Sequence, residues 1–189
     1  MSLLKESYLF SKKNHLRTTF LEKSDVLVNN GTNIMLLVLG DYLAENSHCQ
    51  MRILEKAFSS FSQNVKLIVK PHPSCPIIAE DYPDLKMHIT MDPISNLLNK
   101  CDVAYTSALT SAAIDAYCAN VPVISVLNPQ TLNMSPLRMM EGVKFISEAD
   151  ELVNAIKTIK NNNYNKIKPE DIFWLDPKLS MWKNLLNLS

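Results

Sequence analysis

Lys70-Pro71-His72-Pro73 sets a cation and an imidazole between two prolines, directly after the apolar residues 65–69. An ammonium and an imidazole held on a stiff loop suit an anionic ligand, above all a phosphate. A second constellation follows at Thr106, Ser107, Thr110 and Ser111, where hydroxyls crowd the stretch after another apolar run. A helix N-terminus has unpaired N–H groups and a partial positive charge, and hydroxyls there add hydrogen bonds to phosphate oxygens. Capping of the helix accounts for one of these hydroxyls. A third place is Gly40-Asp41, again just past an apolar run. Asp115 sits one turn after Ser111, where it reaches toward a ribose or lies on a solvated face.

These residues need elements that bring them together. The chain alternates short apolar runs with stretches of helical spacing. Strands are expected at 34–39, 65–69, 86–90, 102–105, 122–127 and 143–146. Helices are expected at 44–61, from 93 to about 100, at 109–119 and from 147 to about 160. Asp92 reads as an N-cap ahead of Pro93, and Ser147 with Asp150 as a capping box. Pro71 and Pro73 stop their strand, because proline lacks the ladder N–H. Such alternation predicts an α/β fold: one Rossmann-like, doubly wound, mostly parallel six-stranded sheet with a C-terminal helical tail. In that fold the polar residues at the strands' carboxyl ends converge on one crevice.

Composition narrows the partners. The 189 residues carry 19 basic and 19 acidic side chains, a formal net charge of zero, which excludes a global field for nucleic acid. No apolar run approaches the roughly 20 residues of a transmembrane helix, and residues 1–20 lack the apolar core of a secretory signal. The expected location is cytoplasmic. Cys49, Cys75, Cys101 and Cys118 have no C-x-x-C spacing and read as reduced, structural thiols. No paired acidic motif implies a metal, and the three glycines supply neither a G-x-G-x-x-G nor a Walker A loop. His48 and His88 lack partners by spacing and read as structural or exposed.

Lys70-Pro-His-Pro73, the hydroxyl-rich stretch and Ala116-Tyr-Cys-Ala-Asn-Val-Pro-Val-Ile124 together resemble the carboxyl-terminal, donor-binding lobe of GT-B glycosyltransferases. The likeness is to bacterial surface-carbohydrate biosynthesis proteins, and to the sialyltransferases and polyol-phosphate polymerases that carry an HP motif. The loop Asn133-Met-Ser-Pro-Leu-Arg138 and the tail Trp174-Leu-Asp-Pro-Lys-Leu-Ser-Met-Trp182 belong to the same likeness. It implies that His72 and Lys70 contact the nucleotide of an activated sugar, and that Ser107, Thr110 and Ser111, with Thr106 beside them, hold its phosphate. It implies donor-sugar contacts from Gly40, Asp41, Asn133, Ser135 and Arg138. Lys70 and Arg138 would offset charge on the leaving nucleotide. The nucleotide sugar, a CMP-linked one among the candidates, is substrate, and no cofactor is implied.

The likeness covers roughly residues 34–189, leaving 1–33 as an extension or the remnant of a linker or first lobe. GT-B enzymes have two lobes, and the length leaves room for one, so a further lobe or partner chain is expected. The acid/base pair of the sialyltransferases, an Asp/Glu pair before glycine, is not visible. Two rival readings share the fold: a nucleotide-sugar epimerase, for which Asp41 is the available carboxylate, and a non-catalytic interaction domain presenting Phe173, Trp174 and Trp182.

Overall fold

A computed structural model describes residues 33–61, 64–130, 132–159 and 180–187. In chain order they form β1 (Asn33–Leu39), α1 (Ala44–Phe58), β2 (Asn64–Lys70), a 3-10 turn (Ala79–Asp81), β3 (Met87–Ile89) and α2 (Ile94–Leu98). Then come β4 (Val103–Ser107), α3 (Ala112–Cys118), β5 (Val123–Val126), β6 (Val143–Ile146), α4 (Ala149–Ile159) and α5 (Ser180–Leu186).

The six strands form one sheet in the order β3-β2-β1-β4-β5-β6. Every neighbouring pair is parallel, so the sheet is wholly rather than mostly parallel. β1 reads as a near-continuous apolar run because both its faces are covered, as parallel sheets require. Ile34, Leu36 and Val38 join Met51, Leu54 and Ala57 of α1 and Leu152, Val153 and Ile156 of α4 in one core layer. Leu37 and Leu39 point the other way, onto Leu97 and Leu98 of α2 and Ala113, Ala116 and Tyr117 of α3. The fold is thus Rossmann-like and wound on both faces. β1 and β4 stand side by side where the winding reverses, the switch point at which such sheets leave a crevice.

Several boundaries differ from expectation, each for a local reason. β4 runs on through Thr106 and Ser107, which pair with Leu39 of β1 and with Ser125 and Val126 of β5. α3 therefore begins at Ala112 rather than at 109. Asp92 does not cap α2; the residue before the helix is Pro93, and the Asp92 N–H donates to Thr90 Oγ1 at 3.2 Å. At the start of α4 the carboxylate reaching back is Glu151, not Asp150. Glu151 accepts the N–H of Ser147 at 2.7 Å and of Glu148 at 3.2 Å. α1 ends at Phe58, short of 61. The expected tail helix is present as α5, whereas residues 1–32, Phe173 and Trp174 lie outside the described residues. Among the described residues no helix is long and apolar enough to cross a membrane.

Candidate functional site

The first connection at the switch point leaves β1 through Gly40, Asp41, Tyr42 and Leu43. Asp41 has no exposed surface. Its Oδ1 accepts the Leu43 N–H at 2.9 Å, and its Oδ2 accepts Asn46 Nδ2 at 3.3 Å and the hydroxyl of Ser107. Its own N–H donates to Ser47 Oγ at 3.0 Å, and that hydroxyl donates to the Asp41 carbonyl at 3.0 Å. The carboxyl group thus ties β1, the start of α1 and the end of β4 together. Asp41, expected at a donor sugar, is buried at the crevice floor, where its carboxyl group is a hydrogen-bonding hub of the fold.

Gly40 sits against the next loop. Its N–H donates to the Lys70 carbonyl at 3.0 Å. A Cβ at Gly40 would lie 3.1 Å from the His72 nitrogen and 3.3 Å from Pro71 Cα, so the absent side chain is what lets two backbones touch. The loop after β2 then turns back on itself, with the Cys75 N–H donating to the His72 carbonyl at 2.9 Å. His72 Nδ1 accepts the Ser74 N–H at 3.2 Å and lies 2.7 Å from Ser74 Oγ, which leaves Nε2 as the ring nitrogen turned away from this loop contact. The His72 ring stands 6.3 Å from that of Tyr42 in an edge-on arrangement. Lys70 leans toward β3, its ammonium donating to the Met91 carbonyl at 3.3 Å.

The hydroxyl cluster is divided by strand alternation. Ser107 points to the α1 side, onto Asp41. Thr106, one residue earlier, points to the α3 side with Ala104. Thr106 has no exposed surface, and its hydroxyl has no hydrogen-bond partner. Its register partner Ser125 on β5 is 1% exposed and equally unpartnered. Thr110 is buried in the following loop, and Ser111 is exposed at the position before α3, where its side chain makes no capping bond. The four hydroxyls therefore do not form one helix-start cluster, because β4 extends further than its apolar run suggests. Asp115 is 7% exposed, which removes the solvated-face reading.

Asn133, Ser135 and Arg138 lie on the loop that leaves the carboxyl end of β5 and returns to the amino end of β6. It is internally braced: Asn133 Oδ1 accepts the Ser135 N–H at 3.0 Å, and Ser135 Oγ accepts the Leu137 N–H at 3.2 Å. Ser135 is buried, and the exposed Arg138 side chain donates to the Ser135 carbonyl at 3.5 Å. Beside Ser107, on the α1 side, Asn46, Cys49, Val126 and Asn128 line a shallow hollow.

Three residues of this edge were not singled out from sequence: Asn46 and Ser47, which brace Asp41, and Tyr42. The signal for the first two is an aspartate followed by short polar residues at the opening of a helix. Gln50 was missed as well; its Nε2 donates to the Tyr105 carbonyl at 2.8 Å and the Leu39 carbonyl at 3.3 Å. His48 meets the Tyr82 hydroxyl at 2.6 Å and serves the structure. Burial pushes the Tyr82 hydroxyl above its ordinary pKa, and does so more strongly for Tyr105. Among the described residues no group of three or more His, Cys, Asp or Glu side chains is placed to hold a metal.

No protein-family model matches the sequence, and no curated protein matches it. Solved structures do match its fold. The UDP-GlcNAc 2-epimerase of Methanocaldococcus jannaschii, in complex with UDP-GlcNAc and UDP, is similar over 100% of this chain and 54% of its own, with a TM-score of 0.59 at 14% identity. The glycosyltransferase SnogD of Streptomyces nogalater is similar over 86% of this chain and 46% of its own, with a TM-score of 0.49 at 12% identity. The beta Kdo 2,7 transferase KpsC of Thermosulfurimonas dismutans is similar over 80% of this chain and 56% of its own, with a TM-score of 0.45 at 14% identity. The first of these identifies the fold as that of one GT-B-like lobe. The chain spans about half the length of the structures it matches.

Proposed function

We propose that this chain is the donor-binding lobe of a glycosyltransferase-like protein of bacterial surface-polysaccharide biosynthesis, acting in the cytoplasm on a nucleotide-activated sugar. The observation that carries the reading is the switch point itself. The His72 loop, the Gly40–Leu43 connection and the end of β4 meet at one edge, in a fold shared with a structure that holds UDP-GlcNAc and UDP. In this reading His72, through Nε2, and Lys70 meet the nucleotide, and Thr110 and Ser111 with the hydroxyl edge of β4 receive the phosphate. Asn133 and Arg138 stand across the crevice toward the sugar. In this reading Asp41 holds the crevice floor in place; the epimerase reading instead needs its carboxyl group to reach the substrate.

A second wall belongs to the same reading. Of the nine large apolar side chains exposed among the described residues, seven lie on connections leaving the carboxyl ends of β1, β2, β3 and β5: Tyr42, Leu43, Ile78, Met91, Leu132, Met134 and Met139. Exposed apolar side chains on the connections around the crevice suit an interaction site. A further lobe or a partner chain closing on the crevice would bury those at its rim and bring the acceptor.

Calorimetric titration of the chain with CMP-, UDP- and GDP-linked sugars tests the assignment. One of them binds the wild type, and Thr110→Ala with Ser111→Ala weakens it by about 1–3 kcal/mol, the worth of hydrogen bonds to a charged group. Binding of none of the three by the wild type overturns the reading.

A further inference from the structure

We infer that Tyr42 is a stacking platform for a ring of the bound ligand, an inference that rests on the crevice being a nucleotide-sugar site. Tyr42 is 55% exposed. A single exposed tyrosine is ordinary; the setting of this one is not. Both its chain neighbours are pinned. Asp41 is held through its N–H, its carbonyl and its carboxyl group, and the Leu43 N–H is held at 2.9 Å by Asp41 Oδ1. The ring itself stands edge-on to His72, 6.3 Å between centroids and 66° between planes. His72 is in turn oriented by the Ser74 N–H at its Nδ1. A flat side chain with two rotatable bonds, placed on a loop that is already ordered, binds a second ring at little entropic cost.

Its position selects the kind of ring. Tyr42 directly follows Asp41, whose carboxyl group accepts the Ser107 hydroxyl at the switch point. With the phosphate at the end of β4, as proposed above, a ring stacked on Tyr42 belongs to a group next to that phosphate. In a nucleotide sugar those groups are the nucleoside on one side and the sugar on the other. Both present a flat or apolar ring face to an aromatic side chain, and base–aromatic stacking is worth about 10- to 100-fold in affinity.

The test uses the full chain with Tyr42→Ala and Tyr42→Phe. Two kinds of probe are titrated: nucleoside 5′-monophosphates (UMP, CMP and GMP) and glucose 1-phosphate. The first carry a base without the transferred sugar, the second a sugar without a base. Because the loop is held by Asp41 and not by the Tyr42 side chain, both variants keep the wild-type melting temperature. Tyr42→Ala loses about 10-fold or more in affinity, and Tyr42→Phe keeps it. A loss confined to the monophosphates makes the base the stacked ring, and a loss confined to glucose 1-phosphate makes it the sugar. Wild-type affinity of Tyr42→Ala for every probe overturns the inference while leaving the nucleotide site standing, and assigns Tyr42 to the apolar rim. A loss in Tyr42→Phe as large as in Tyr42→Ala also overturns it, because the hydroxyl and not the ring face would be the contact. Absence of binding by the wild type to any probe brings down the site and the inference together.

Discussion

The two connections flanking the switch point are built in opposite ways. Between β1 and α1 the polar groups are paired with one another. Asp41, Asn46, Ser47 and Ser107 form a closed network, and Gly40 seats its backbone against the His72 loop. Across the junction, at the end of β4, Thr106 and its register partner Ser125 bury hydroxyls with no partner. A closed network is a scaffold, since its hydrogen bonds are already made. Buried hydroxyls left unpaired stabilise nothing by themselves and cost about 1–3 kcal/mol of desolvation each. The contrast teaches which side of the crevice holds the fold and which side has hydrogen bonds still to make.

The largest expected effect falls on the closed side. Asp41→Ala leaves the buried Ser107 hydroxyl, the half-buried Asn46 amide and the Leu43 N–H without their acceptor. A loss of about 3 kcal/mol or more in denaturant unfolding is expected, given roughly 1–3 kcal/mol for each orphaned group and incomplete additivity. A loss below about 1 kcal/mol would break the comparison, since Asp41 would then be no hub.

The open side should respond in the opposite sense. Thr106→Val with Ser125→Ala removes two unpartnered hydroxyls at nearly constant shape, so stability holds or rises by up to about 1 kcal/mol. The same denaturant curves decide it, and a loss as large as that of Asp41→Ala would show that both sides are scaffold.

A smaller effect tests the network at the start of α4. Hydrogen bonding from Ser147 first, and also from Glu148, holds the Glu151 carboxyl below its ordinary pKa of 4.5. A group with a lowered folded-state pKa adds stability above its unfolded value, and that stability is lost as pH falls through the folded value. Glu151→Gln should therefore melt slightly below the wild type at pH 7, and the two melting temperatures should converge as the pH drops below about 4.5. A gap that persists in acid would mean that Glu151 acts by packing and not by charge.

Much of the frame is legible without coordinates. The apolar runs at β1 and β2 are covered on both faces, so they carry an unbroken signal, and Pro71 ends β2 because it has no N–H to give. The edge strand β3 is harder: it has three residues, of which Met87 and Ile89 are half-buried and His88 exposed, and β2 is its one strand neighbour. The hydroxyls of β4 misled for a related reason. Thr106 and Ser107 look like a helix opening by composition, yet Leu39, Ser125 and Val126 claim them as strand.

From the sequence alone come the class of fold, the place where its strands stop and the polar residues at those stops. These rest on periodicity, proline and chain-local hydrogen bonding, all readable within a few residues. The sides those residues face, and the partners they meet, were decided by the tertiary structure. Ser107 turns to Asp41 while Thr106 turns to Ser125, because side chains alternate along a strand and the register across β1, β4 and β5 sets where β4 ends. That register depends on residues far apart along the chain, which is why the bond from Ser107 to Asp41, 66 residues apart, is visible only in space.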